Sequence, residues 1–301
     1  MSAYLSATQF YSACDPKRSR RLELAEKAAA AAGPAYKQTV TGPSIVRREF
    51  TRQDQARLFA NLDQDLSVFS FEVARHGERK FLVCSKETFW EFYKDLKVKN
   101  YYEVIGENEP CKLYFDLEFL TEFNLEKDGH QMTQKLIEIV NLRLGLEFKF
   151  QNITEDVLVL ESSTQNKFSV HLIFCKTVFS SNQNCGQFVN NCIASLSGSE
   201  KAIFSVKDKN GVPCLFIDNA VYTRNRNFRL FLSAKFGKNV SLQTSHLDRH
   251  SISIIETNKD WEKKDIQKRL FFNSLITNVD RSSDGQPKCT IITSHTALVT
   301  T

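Results

Sequence analysis

Two runs in which apolar and polar side chains alternate, the second as far as Leu172, constrain this chain most: residues 112–119, KLYFDLEF, and residues 167–174, KFSVHLIF. A period of two is the mark of a β-strand, whose successive side chains point to opposite faces. In the first run Leu113, Phe115, Leu117 and Phe119 share one face, and Tyr114, Asp116 and Glu118 share the other. The two acids then stand about 7 Å apart at the backbone, close enough for their oxygens to converge on a shared cation. In the second run Phe168, Val170, Leu172 and Phe174 face one way, and Lys167, Ser169 and His171 the other. That row offers an ammonium, a hydroxyl and an imidazole, a set that suits phosphate oxygens. Each row also fits the wet face of a half-buried antiparallel sheet, with His171 an ordinary surface histidine.

Residues 215–238, LFIDNAVYTRNRNFRLFLSAKFGK, add a third element. Asp218 closes an apolar, strand-like run, a position that suits an active-site carboxylate. From residue 224 to 238 come Arg224, Arg226, Arg229, Lys235 and Lys238, with no acid among them. On a straight strand Arg224 and Arg226 face away from Arg229, so a twist, turn or bulge is needed before all can meet one ligand. Three carboxylates brought together repel one another and favour protonation unless cations lie between them. Two divalent ions about 4 Å apart fit such a gap and clamp the attacking and leaving oxygens of an in-line phosphoryl transfer. The Lys, Ser, His and Arg groups then hold a triphosphate. Neither a GxxxxGK[ST] loop nor a GxGxxG motif occurs, so P-loop and dinucleotide-binding readings have no support.

Composition sets outer bounds. A chain of 301 residues, 42% hydrophobic and 25% charged, has the make-up of a globular protein of one large or two smaller domains. Its 24 Phe against two Met imply cores filled by aromatics and branched aliphatics. The formal charge of +5 permits a nucleic-acid or nucleotide partner without demanding one. None of the 8 Cys forms a CxxC pair, and the N-terminal sequence lacks the apolar core of a secretory signal, so reduced thiols in an intracellular protein are expected. No apolar run approaches the roughly 20 residues that span a bilayer.

Residues 1–41 read as an appendage, with a basic cluster KRSRR at 17–21 and an alanine-rich helical stretch at 22–33. Acids within it weaken a mitochondrial transit reading. A compact region begins near Pro43. Helices are expected over residues 51–62, 86–96, 128–144, 185–196 and 259–276. Strands are expected over 66–74, 79–85, 112–119, 156–163 and 167–174, with a late strand beginning at 212. Strands and helices alternate irregularly, which favours an α+β fold over a doubly wound sheet.

Three stretches in order, CKLYFDLEF, SSTQNKFSVHLIF and VYTRNRNFRL, resemble the catalytic core of the eukaryotic primase-polymerases of the archaeo-eukaryotic primase superfamily. Weaker similarity extends the match to roughly residues 43–279. The resemblance implies a two-module core around a cleft, with an RRM-like sheet carrying the chemistry: an N-terminal module over 42–105, a catalytic module over 106–280, and a disordered tail over 281–301. It assigns Asp116, Glu118 and Asp218 to catalysis and metal binding. It assigns Lys167, Ser169, His171, Arg229 and Lys235 to the nucleotide's triphosphate, with Arg226 nearby. Arg79, in GERKFLV, aligns with an arginine that packs on the templating base. Glu118, where many relatives carry Asp, implies that manganese serves alongside magnesium.

The implied activity is a DNA-directed primase-polymerase extending primers across damaged or stalled template, in replication restart and translesion synthesis. Its partners are DNA template, primer and deoxyribo- or ribonucleoside triphosphates, in nucleus or mitochondrion. The family's C-terminal zinc module and its acidic tail for the single-strand-binding protein are not evident here. No zinc is therefore expected, and primer extension is expected ahead of de novo priming. A catalytically weak nucleic-acid-binding form of the same fold is the alternative. A metal-dependent nuclease also uses paired acids, but has no need of the triphosphate-holding row.

Overall fold

The computed structural model describes residues 47–74, 77–149 and 153–279, and the backbone of residues 290–292. The expected N-terminal helix, its basic cluster and most of the expected tail lie outside the described residues. Those described divide into two compact units, with the boundary between Val104 and Ile105. The fold is mixed α+β with predominantly antiparallel sheets. No helix among the described residues is long and apolar enough to cross a membrane.

In the first unit, β1 (Arg48–Phe50), α1 (Gln53–Ala60), β2 (Leu66–Glu72), β3 (Arg79–Ser85), α2 (Lys86–Tyr93) and β4 (Tyr101–Ile105) follow in order. The strands align as β1-β3-β2-β4, all antiparallel. Helix α1 covers one face with Ala56 and Phe59 packed against Phe50, Val68, Phe81 and Val83. Helix α2 covers the other, where Phe89 stacks on Phe69 at 3.7 Å and meets Tyr93 and Tyr101. Ser85 starts α2 by accepting a hydrogen bond from the Thr88 amide, an N-cap that frees the strand to turn directly into the helix. With both faces covered, these strands are buried in continuous runs.

The second unit is built on β5 (Cys111–Leu120), α3 (Gly129–Phe148), β6 (Val157–Glu161) and β7 (Lys167–Phe179). After them come α4 (Asn182–Ala194), α5 (Gly198–Phe204), β8 (Ser205–Lys207), β9 (Pro213–Leu215), β10 (Arg226–Arg229), β11 (Gln243–Thr244), α6 (Arg249–Thr257), α7 (Lys263–Ser274) and β12 (Thr290–Ile292). Its sheet runs β11-β6-β7-β5, and β12 lies parallel to the far end of β7 at Thr177–Phe179. Two expectations differ from the structure. The second alternating run continues through Phe179 because a register shift opposite Lys112 and Leu113 absorbs extra residues. The late strand is broken: Pro213–Leu215 pairs with β8, and the chain then crosses to β5.

Helix α3 is capped by the Asp128 carboxylate, which accepts from the His130 and Gln131 amides, and ends at Lys149 in the left-handed region (φ 55°). Its first residue packs so closely on the sheet that a Cβ at Gly129 would stand 2.5 Å from the Phe168 ring. Gly129→Ala is therefore expected to destabilise the protein by about 1–3 kcal/mol, despite alanine's better helix propensity. Urea denaturation checks this; an unchanged or higher midpoint would show that the ring yields freely.

Candidate catalytic site

The register of the second sheet decides which side chains meet. Asp116 on β5 is paired with His171 on β7, and Glu118 with Ser169. Directly opposed residues of antiparallel strands share a face, so the acid row and the Lys167–Ser169–His171 row lie on the same side of the sheet. The third acid arrives from the other edge of β5. Leu117 bridges Ile217, the Glu118 amide donates to the Phe216 carbonyl at 2.8 Å, and the Asp218 amide donates to the Asp116 carbonyl at 2.9 Å. Asp218 thereby stands opposite Asp116, on the face it shares with His171.

Local chemistry holds this segment in place. One Asp218 carboxylate oxygen accepts from the Ala220 amide at 2.9 Å and caps a 3₁₀ turn over Asn219–Tyr222. The Tyr222 hydroxyl at the end of that turn donates to the Tyr114 carbonyl on β5. The Tyr114 hydroxyl lies 2.8 Å from both the Asn182 side chain and the Val221 carbonyl.

Burial and the charges of its two neighbours mark Asp116. The Asp116 carboxyl is pushed up to about 7, first by burial, then by the charges of Glu118 and Asp218, with Arg229 and Lys167 opposing. Its Oδ1 is buried without a hydrogen-bond partner, 3.7 Å from His171 Nε2. A buried, unbonded carboxylate oxygen flanked by two more acids is a donor set that fits a hard divalent cation. Cations of the chain stand at both ends: Lys167 Nζ donates to Glu118 at 2.5 Å, and an Arg226 guanidinium nitrogen is 3.8 Å from Asp218.

His171 is not a surface histidine. It is 3% exposed, stacked on Phe228 at 4.2 Å, and its Nδ1 has no hydrogen-bond partner. Burial drives its pKa well below the ordinary value, and Arg229, Lys235 and Lys167 push it the same way. The imidazole is neutral at pH 7 and offers one N–H.

The basic segment bends as the spacing requires. Asn225 and Leu232 both adopt positive φ, and Arg224, ahead of the first bend, turns to Glu107 at 3.0 Å. Arg229 comes back to the row and donates to the Ser162 hydroxyl at 2.7 Å; Ser162 in turn donates to Ser169 at 3.3 Å. Lys235 is close enough that the charges of Lys167, Glu118, Arg229 and Asp116 all act on it, and burial lowers its pKa. Thus Asp116, Glu118, Asp218, Lys167, Ser169, His171, Arg226, Arg229 and Lys235 gather in one unit. Arg79 belongs to the first unit, where it pairs with Glu72 at 2.9 Å and lies over the Tyr102 ring at 4.6 Å.

Sequence reading missed Ser162 and Phe228, whose roles come only from the fold. It also missed Lys207 and Lys209, which with Lys167 line part of a cavity of about 400 Å³ beside Glu118 and Asp218.

No family model matches the chain. It is similar to curated proteins named DNA-directed primase/polymerase protein: at 35% identity to that of Danio rerio over 79% of this chain and 51% of the relative. The Mus musculus protein is 35% identical, covering 80% and 53%, and the Homo sapiens protein 32%, covering 80% and 54%. The chain spans about half the length of the curated relatives it matches.

With a folded pKa near 7 against 3.8 unfolded, Asp116 favours the folded state at low pH, and that contribution is lost as pH rises to about 7. Asp116→Asn is therefore expected to melt higher than the parent in chelator, with the gap widening from pH 5 to about 7 and then levelling. Added manganese should narrow the gap by binding the parent. A lower melting point for the variant above pH 7 would contradict the electrostatics.

Proposed function

We propose that this chain, a homologue of the DNA-directed primase/polymerases, is a template-directed nucleotidyltransferase. It extends primers on single-stranded or damaged template during replication restart and translesion synthesis. The observation that carries the reading is the placement of Asp116, Glu118 and Asp218 on the face occupied by Lys167, Ser169 and His171. A binding protein needs the cations but has no use for three mutually repelling acids beside them.

On this reading residues 106–280 form the catalytic module, an RRM-like sheet facing a cleft, and residues 42–105 the N-terminal module. Asp116, Glu118 and Asp218 would hold two divalent cations, manganese or magnesium. Such ions lower the pKa of a primer 3′ hydroxyl and neutralise charge as the phosphoryl group transfers. Arg229 and Lys235 supply the positive field for the triphosphate, and Lys167 sits where the acid row and the phosphates meet. Neutral His171 donates its single N–H without adding charge to a site already rich in cations. Ser162 is a positioning residue, aiming Arg229 and Ser169 together. Lys207 and Lys209 suit the phosphates of a nucleic-acid strand passing Glu118 and Asp218. Arg79, with its planar guanidinium already laid on an aromatic ring, suits stacking on a template base.

Asp116→Ala is expected to reduce manganese-dependent primer extension by about 10³-fold or more while leaving primer–template affinity nearly unchanged. Extension at the parent rate would sink the assignment, and loss of DNA binding in parallel would point to a merely structural role. Ser162→Ala is expected to raise the nucleotide KM by about 10-fold with little change in kcat, because Arg229 loses the hydrogen bond that ties it to the Ser169 row. An unchanged KM would remove Ser162 from the grip.

A further inference from the structure

On the opposite face of the same sheet, three side chains far apart in sequence come together. Glu161 ends β6 and is paired with Val170, so it points away from the face that carries Asp116 and His171. His130 sits in the first turn of α3, and His246 follows β11. Each offers a ligand atom, and these atoms all lie within 4.8 Å of one another. His130 Nε2 is 3.0 Å from Glu161 Oε1, and the two imidazole rings meet edge to face at 4.4 Å.

The carboxylate is held as a ligand would be. The buried Ser245 hydroxyl donates to Glu161 Oε2 at 2.6 Å, the Ser163 side chain also bonds the carboxylate, and Oε1 faces His130 Nε2. His130 is fixed from behind: Asp128 caps its amide and the edge of its ring meets Phe168. Outer-sphere partners of this kind set the orientation of metal ligands.

From this we infer that His130, Glu161 and His246 form a second metal site, separate from the acid row and selective for a borderline transition ion of the zinc class. Two imidazoles and one carboxylate are a three-ligand zinc set with a fourth position for water, whereas magnesium and manganese prefer oxygen throughout. Ligand atoms around a tetrahedral ion with bonds near 2 Å stand about 3.3 Å apart. His130 and Glu161 already meet that spacing, and the exposed His246 closes it by rotating its ring. The fourth position opens to solvent on the His246 side. The expectation of no zinc rests on the family's C-terminal zinc module not being evident in the sequence, and that criterion is blind to ligands brought together only by the fold.

A metal here ties the start of α3, the end of β6 and the segment after β11 into one clasp. The residue after Glu161 is Ser162, which holds Arg229 and Ser169 on the other face. The clasp therefore braces the strand end on which that grip is mounted.

The test is a zinc titration of metal-stripped full chain against a chromophoric chelator, repeated with cobalt as a spectroscopic stand-in. Parent protein should bind one equivalent of zinc and give the intense visible band of tetrahedral cobalt. His246→Ala, at an exposed position and checked for folding by circular dichroism, should weaken zinc binding by about 100-fold and lose the band. Asp116→Ala should keep both, which separates this site from the acid row. In the Asp116→Ala background zinc should raise the melting temperature, and adding His246→Ala should remove that rise. Absence of the zinc equivalent in the parent, or its persistence at the same affinity in His246→Ala, would overturn the site.

Discussion

Two backbone hydrogen bonds govern the arrangement of the acids: Glu118 N–H to the Phe216 carbonyl, and Asp218 N–H to the Asp116 carbonyl. They dock residues 216–218 against β5 and bring a third carboxylate to a face that already holds two. Because the side-chain period along a strand is two, a slip of one residue would send Asp218 into the opposite layer, among Phe115 and Leu117. Side-chain repulsion works against this register, so backbone pairing and apolar packing must hold it.

The packing that opposes the repulsion is aromatic. Tyr114, on the acid face of β5, meets Phe228 at 4.8 Å and Tyr222 at 5.2 Å, and Phe228 also covers His171 at 4.2 Å. These rings exclude water from one end of the acid row, which raises the Asp116 pKa and strengthens every interaction of the cations around it. A site that costs stability in the empty protein and recovers it on binding charge is the usual signature of function. Behind the sheet, α3 packs its first turn on Phe168, so the strand bearing Ser169 and His171 is seated from both sides.

Much of this was legible in the sequence because period-two alternation survives without alignment or structure. The composition of the two rows at 112–119 and 167–174 specified both strands and the face each side chain would take. Helix ends were legible where a capping side chain marked them, as at Asp128. What could not be read was pairing. Nothing in the residues at 212–218 announces that three pair with β8 and the next three with β5. The burial of His171 depends on Phe228, fifty-seven positions away in the chain, and the grip of Ser162 on Arg229 joins residues sixty-seven apart. The cluster of His130, Glu161 and His246 has no spacing signature at all. Local pattern sets the faces; tertiary register decides which faces confront one another.

The central claim is that Asp116, Glu118 and Asp218 act as one cation-binding unit, and manganese binding followed by electron paramagnetic resonance tests it most directly. Asp218→Asn keeps the size of the side chain and removes only the charge brought in by the 216–218 pairing. It is expected to weaken manganese binding by about 10-fold or more. Affinity and stoichiometry equal to those of the parent would show that Asp218 stands apart from the other two acids.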